Sequence, residues 1–144
     1  MASDSDSAAL VTLLERGGLT IEWLRQIVGI SHSATVRLVD RLTAEGLVER
    51  RPGPDRRSVS IRLSVHGQAA AARLRAQRDA QLMELIDALD AEEGKALRAI
   101  AEKLAAQLVT GRWEARLVCR LCDHGACTAA GGCPVDHAAS LAGE

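Results

Sequence analysis

The chain has 144 residues, 47% of them apolar and 26% charged, with a formal net charge of −1. It has no Phe, no Tyr and only two Trp, so its core must be built from Ala, Leu, Val and Ile, which suits packed helices better than an aromatic-lined pocket or a base-stacking platform. No apolar run approaches the roughly 18 residues needed to span a bilayer, and the polar, acidic start (MASDSDSAAL) lacks signal-peptide or transit character, so the expected location is the cytoplasm.

The first helical pattern covers Ser7 to Arg16, with Leu10, Leu13 and Leu14 apolar, and stops at Gly17-Gly18. Thr20 is placed to cap a second helix, Ile21 to Val28, whose Ile21, Leu24, Ile27 and Val28 share a face. After Gly29, Ser31 or Ser33 caps a third helix with Val36, Val39 and Leu42 at helical spacing, ending at Gly46. The period then changes. Leu47 to Arg51 reads as a strand, Pro52-Gly53-Pro54-Asp55 as a turn, and Val59, Ile61 and Leu63 alternate with polar residues as a second, half-buried strand. From Gly67 the helical period returns through Leu74, Leu82, Leu85, Ile86 and Leu89. Asp90 and Glu93 then form a capping box ahead of a last helix carrying Leu97, Ile100, Leu104 and Leu108. The expected fold is mainly α with a small β-hairpin wing: a winged helix-turn-helix over residues 7–66, long dimerisation helices over 67–117, and a Cys-rich metal-binding tail over 118–137.

Charge distribution points to a nucleic acid where net charge does not. Between Ser31 and Arg62 there are seven Arg (37, 41, 50, 51, 56, 57 and 62) against four acids, a local basic footprint of the kind that DNA requires. In a helix-turn-helix the second helix enters the major groove and its first residues meet the base edges. Here these are Ser31, His32, Ser33, Ala34 and Thr35, with Arg37 and Arg41 one and two turns further on. Arg51 and the hairpin tip, with Asp55, Arg56 and Arg57, can reach phosphate or a narrow minor groove.

The stretch LTIEWLRQIVGISHSATVRLVDRLTAEGLVERRPGPDRRSVSIRLSVHG resembles the MarR family of winged-helix regulators, most specifically in GLVERRPGPDRRSVSIRLS. The resemblance implies a homodimer reading the two halves of a palindromic operator in double-stranded DNA. It places the family's wing acid and basic residue on Asp55 and Arg57, with Arg56 adjacent. Relatives carry a substantial helix ahead of the first one read here. The few polar residues before Ser7 leave dimerisation to the helices from Gly67 to Thr110, and they weaken the expectation of a small-molecule effector.

All four cysteines fall in one stretch, Cys119, Cys122, Cys127 and Cys133, spaced C-x2-C-x4-C-x5-C and followed by Pro134. In a reducing compartment, four clustered thiols point to metal or redox chemistry before structural disulfides. An iron–sulfur cluster is expected first, because a Pro after the last Cys recurs in ferredoxin-type ligand runs. The alternative is a zinc ion, for which C-x2-C is a common half-site. A metal-free thiol switch is a third reading. The C-terminal arrangement is similar to that of the SoxR group of redox sensors, although that group has one residue between its second and third Cys and a different fold. The small, Gly-bearing stretches between the cysteines read as loops. No phosphate loop, nucleophile elbow or H-E-x-x-H motif is present, so an enzyme is not expected. A zinc-stapled protein-interaction module is the remaining alternative to a sensor.

Overall fold

The computed structural model describes residues 4–53, 55, 58–129 and 132–142. Its elements run α1 (Asp4–Arg16), α2 (Ile21–Val28), α3 (His32–Ala44), β1 (Val48–Pro52), β2 (Val59–Leu63), α4 (Val65–Ile86), α5 (Ala91–Gln107), α6 (Arg112–Val118), α7 (His124–Ala129) and α8 (Pro134–Ala142). The chain divides into two compact units between Gln77 and Arg78, so α4 begins in the first and ends in the second. No described helix is long and apolar enough to cross a membrane.

In the first unit the caps read from sequence are in place. The Thr20 side chain accepts from Trp23 N at 3.2 Å, and Ser31 Oγ accepts from Ala34 N at 3.2 Å. Each satisfies a donor that the first helical turn would otherwise leave unpaired. Gly29 ends α2 at φ 81°, a left-handed conformation that costs a glycine nothing, and turns the chain toward α3. Leu10, Leu13, Leu24, Leu38, Val39, Leu42, Val48 and Ile61 form the core. Each Leu buried there contributes about 1.5–3 kcal/mol relative to exposure.

The hairpin is antiparallel, with Val48 opposite Leu63 and Arg50 opposite Ile61. Leu19, between α1 and α2, adds a third rung: its N–H donates to Ile61 O at 3.0 Å and Ile61 N–H donates back at 2.7 Å. The expected alternation of β2 holds at Ile61 and fails at Val59. Val59 lies exposed near the wing tip, beyond the core, while Ser60 is buried. Gly67 seats α4 on the hairpin. A Cβ there would stand 1.8 Å from the Leu47 carbonyl oxygen, a contact that only glycine avoids.

In the second unit the Asp90–Glu93 capping box starts α5, with Asp90 Oδ1 accepting from Glu92 N and Glu93 N, both at 2.9 Å. No residue of α5 is buried, and α4 has no buried residue after Ala71. The stretch expected to be looped between the cysteines is partly helical. Asp123 Oδ1 accepts from Ala126 N at 2.9 Å and opens α7. Pro134 starts α8, where its missing N–H costs no hydrogen bond. The short α6 and α8 pack against each other, and α8 against α5, around Val109, Ala115, Val135 and Ala139.

Candidate nucleic-acid interface and cysteine cluster

On α3, Ser33, Arg37, Asp40 and Ala44 recur at helical spacing and are all exposed, forming the stripe such a helix presents to a groove. Ser31 and His32 are exposed at its start, and the Ser31 and Ser33 hydroxyls lie 3.3 Å apart. Ala34 is half-buried. Thr35 is a correction to the sequence reading. It is fully buried, and its hydroxyl donates to Ser31 O at 3.0 Å, so it braces the first turn of α3 instead of reaching a base edge.

The arginines divide by what holds them. Arg37 is exposed and has no ion-pair partner among the described residues. Arg41 turns toward α1, where its Nη2 donates to Asp6 Oδ1 at 2.5 Å. That hydrogen bond, reinforced by charge, raises the pKa of Arg41 further. Arg50 on β1 donates to Asp40 at 2.6 Å, linking wing to helix, and Arg51 donates to its neighbour Glu49 at 2.5 and 2.9 Å. At the wing tip Ser58 closes the turn. Its N–H donates to Asp55 O at 2.9 Å, and its carbonyl accepts from Gly53 N at 2.9 Å. Asp55 is exposed there, while the expected contacts Arg56 and Arg57 lie outside the described residues. Sequence reasoning missed Asp6 because a polar residue near an N-terminus carries no sign of a partner 35 positions away.

The sequence profile of the MarR family matches residues 3–58. The uncharacterized HTH-type transcriptional regulator YwhA of Bacillus subtilis (strain 168) is 37% identical over 94 residues, which cover 65% of this chain and 68% of that protein. The chain belongs to the MarR family. Among solved structures similar to this MarR-family chain is a MarR family protein from Bacillus stearothermophilus, 29% identical with a TM-score of 0.67 over 74% of each chain. The apo form of wild-type MarR from E. coli is 27% identical with a TM-score of 0.62, over 72% of this chain and 78% of that one. MarR-family proteins are DNA-binding transcription regulators that act as dimers, and are not enzymes.

In the second unit Cys133 is buried just ahead of α8, and Cys119 at the end of α6 and Cys127 on α7 pack against it. Cys133 is close enough to both to act on their thiols. Cys122 is exposed, and close enough to influence both of them electrostatically. Burial foremost, then Cys133, Cys122 and Asp136, push the Cys119 thiol from 9.0 up to about 12. The same causes raise Cys127. A second negative charge is unwelcome among these groups, and a bound cation would reverse that preference. The thiols are neighbours and no more than that. Among the described residues, no three His, Cys, Asp or Glu are arranged to hold a metal ion as they stand.

Proposed function

We propose that this MarR-family chain works in the cytoplasm as a homodimer. It reads a palindromic operator with the exposed stripe of α3 and the wing, and its DNA affinity is set by a centre built on Cys119, Cys122, Cys127 and Cys133. The observation that carries the DNA-reading part is the capped start of α3: Ser31, Ser33 and Arg37 stand exposed while Thr35 and Leu38 anchor the opposite face. Small polar side chains allow close approach to base edges, and Arg37 has donors for guanine or phosphate. The dimer reading is supported by Leu82, Leu85 and Ile86 on α4, Leu97, Ile100 and Leu104 on α5, and Leu108 at its C-cap, all exposed. Large apolar side chains exposed together on neighbouring helices are the kind of surface that marks an interaction site.

The regulatory part rests on the grouping of Cys119, Cys127 and Cys133, with Cys122 three residues from the first of them. An iron–sulfur cluster is the first occupant proposed. Zinc is the alternative, favoured by the turn in which Cys122 N–H donates to Cys119 O at 3.2 Å, the compact form a C-x2-C half-site takes.

Protein purified without oxygen should be brown and carry iron and acid-labile sulfide if the cluster reading holds. One zinc per chain in a colourless protein would replace it with the zinc reading. A protein that takes up neither metal would overturn the metal centre and leave the thiol switch. For DNA, Arg37→Ala should weaken binding to a duplex selected from a random pool by about tenfold or more. It should also flatten the salt dependence if Arg37 lies on phosphate. Unchanged affinity would overturn the assignment of α3 as the reading helix.

A further inference from the structure

Two consecutive arginines of β1 leave the hairpin on opposite sides. Arg51 stands opposite Ser60 and is bound to Glu49, its neighbour on the same face of the strand. Arg50 stands opposite Ile61, on the face that carries Val48 and Ile61 into the core. Its Nη2 crosses to α3 and donates to Asp40 Oδ1 at 2.6 Å. Both side chains stay open to solvent, Arg50 42% exposed and Asp40 54%. Among the described residues Asp40 is the partner of this guanidinium, which has further donors to spare.

Asp40 belongs to the exposed stripe of α3, about one turn on from Arg37. A bare carboxylate there would face the phosphates of any duplex that α3 approaches, and an arginine beside it offsets that repulsion. An ion pair this exposed adds little to stability, so holding the fold together is a poor account of it. With α3 in a major groove and the wing tip at the adjoining minor groove, a sugar–phosphate strand runs between the two elements. The bond from Arg50 to Asp40 spans that same interval, from β1 to α3. We infer that Arg50 is a further DNA-contacting residue, donating to a phosphate of the strand between the grooves, with Asp40 its positioning residue. The carboxylate fixes the guanidinium plane at α3 and leaves the remaining donors of its planar fork for phosphate oxygens. This rests on the reading of α3 as the helix that enters the groove. Nothing in the sequence separates Arg50 from Arg51; the register of the hairpin does.

The test uses the full chain and two duplexes of one length, one selected by the wild type from a random pool and one scrambled, titrated over a salt series. Arg50→Ala should weaken binding to both by a similar factor, about tenfold, the order of one hydrogen bond to a charged group. It should also lower the slope of log K against log salt by about one, the mark of a lost phosphate contact. Arg50→Lys, which keeps the charge, should retain the slope. Asp40→Ala should weaken binding too, although removal of a negative charge by itself would strengthen it, and should add no further loss on top of Arg50→Ala. Unchanged affinity and slope for Arg50→Ala overturns the contact. A loss confined to the selected duplex, with the slope intact, places Arg50 on a base and overturns the phosphate assignment. Affinity lost only as melting temperature falls, again with the slope intact, makes the pair a structural brace and overturns it as well. If Asp40→Ala tightens binding while Arg50→Ala weakens it, the positioning role falls and the contact stands. Arg37→Ala runs alongside: if it too leaves binding unchanged, the assignment of α3 falls and takes this inference with it.

Discussion

Arg41 on α3 donates to Asp6 on α1 at 2.5 Å, and of the two it is Asp6 that is buried, its side chain 8% exposed against 47% for Arg41. A buried carboxylate that loses its cationic neighbour pays more than an exposed guanidinium that loses its anionic one, because the guanidinium is readily hydrated. The two single mutants should therefore differ. Arg41→Ala should lower Tm by several degrees and Asp6→Asn by less, while the double mutant should be more stable than Arg41→Ala alone. A calorimetric mutant cycle checks this; equal losses from both single mutants would contradict it. The same pairing predicts that Arg41→Ala weakens DNA binding less than Arg37→Ala does.

Gly67→Ala should be severely destabilising. The added methyl would meet the Leu47 carbonyl oxygen at 1.8 Å, and that backbone atom is itself fixed by a hydrogen bond from Ser64 N at 3.0 Å. The clash cannot be relieved by rotating a side chain, so the loss should reach or exceed the ~1–3 kcal/mol typical of overpacked cores. Urea unfolding measures it, and a loss below about 0.5 kcal/mol, the usual range of an inert surface change, would mean that α4 is not seated as described.

Leu85→Glu, at a side chain 71% exposed on α4, should cost a lone chain almost nothing. In a homodimer that closes on this face it buries a charge, and sedimentation should show dissociation to monomers. An unchanged dimer would place the interface elsewhere.

The cysteine cluster makes metal-free stability depend on alkaline pH. Cys119 keeps its proton to about 12, against 9.0 for an unperturbed thiol, with burial the foremost cause. Because the folded-state value is the raised one, this contribution is fully present below pH 9.0 and is lost as pH climbs from there toward 12. The urea midpoint of the metal-free protein should fall across that window. Substituting Cys119→Ser should remove part of the fall, and a midpoint that rises with pH would contradict the assignment.

Much of the first unit was legible in the sequence because its signals are local. Thr20 and Ser31, and in the second unit Asp90, sit where caps belong, and each one caps. The glycine after each short helix ends or follows it as expected. What was hidden is set by tertiary contact. Thr35 looks like a groove residue until the helix is rotated to bury Leu38 and Leu42, which carries Thr35 into the core. Asp6 bears no local mark, since its partner lies 35 residues away. The helices α6, α7 and α8, seven, six and nine residues long, are too short for a hydrophobic period to emerge. The Gly-bearing segments around the cysteines therefore read as loops although parts of them are helical.

The bridge between Leu19 and Ile61 constrains how such a regulator can be switched. The wing is hydrogen-bonded to the α1–α2 connection at Ile61 and linked to α3 through Arg50 and Asp40, while the Leu47 carbonyl just before it is covered by Gly67 of α4. Hinging the wing alone would break main-chain bonds on one side and an ion pair on the other. Wing and α3 therefore travel as one rigid jaw, and under the proposed function its grip on an operator would be altered by carrying the jaw to a new place, not by reshaping its teeth.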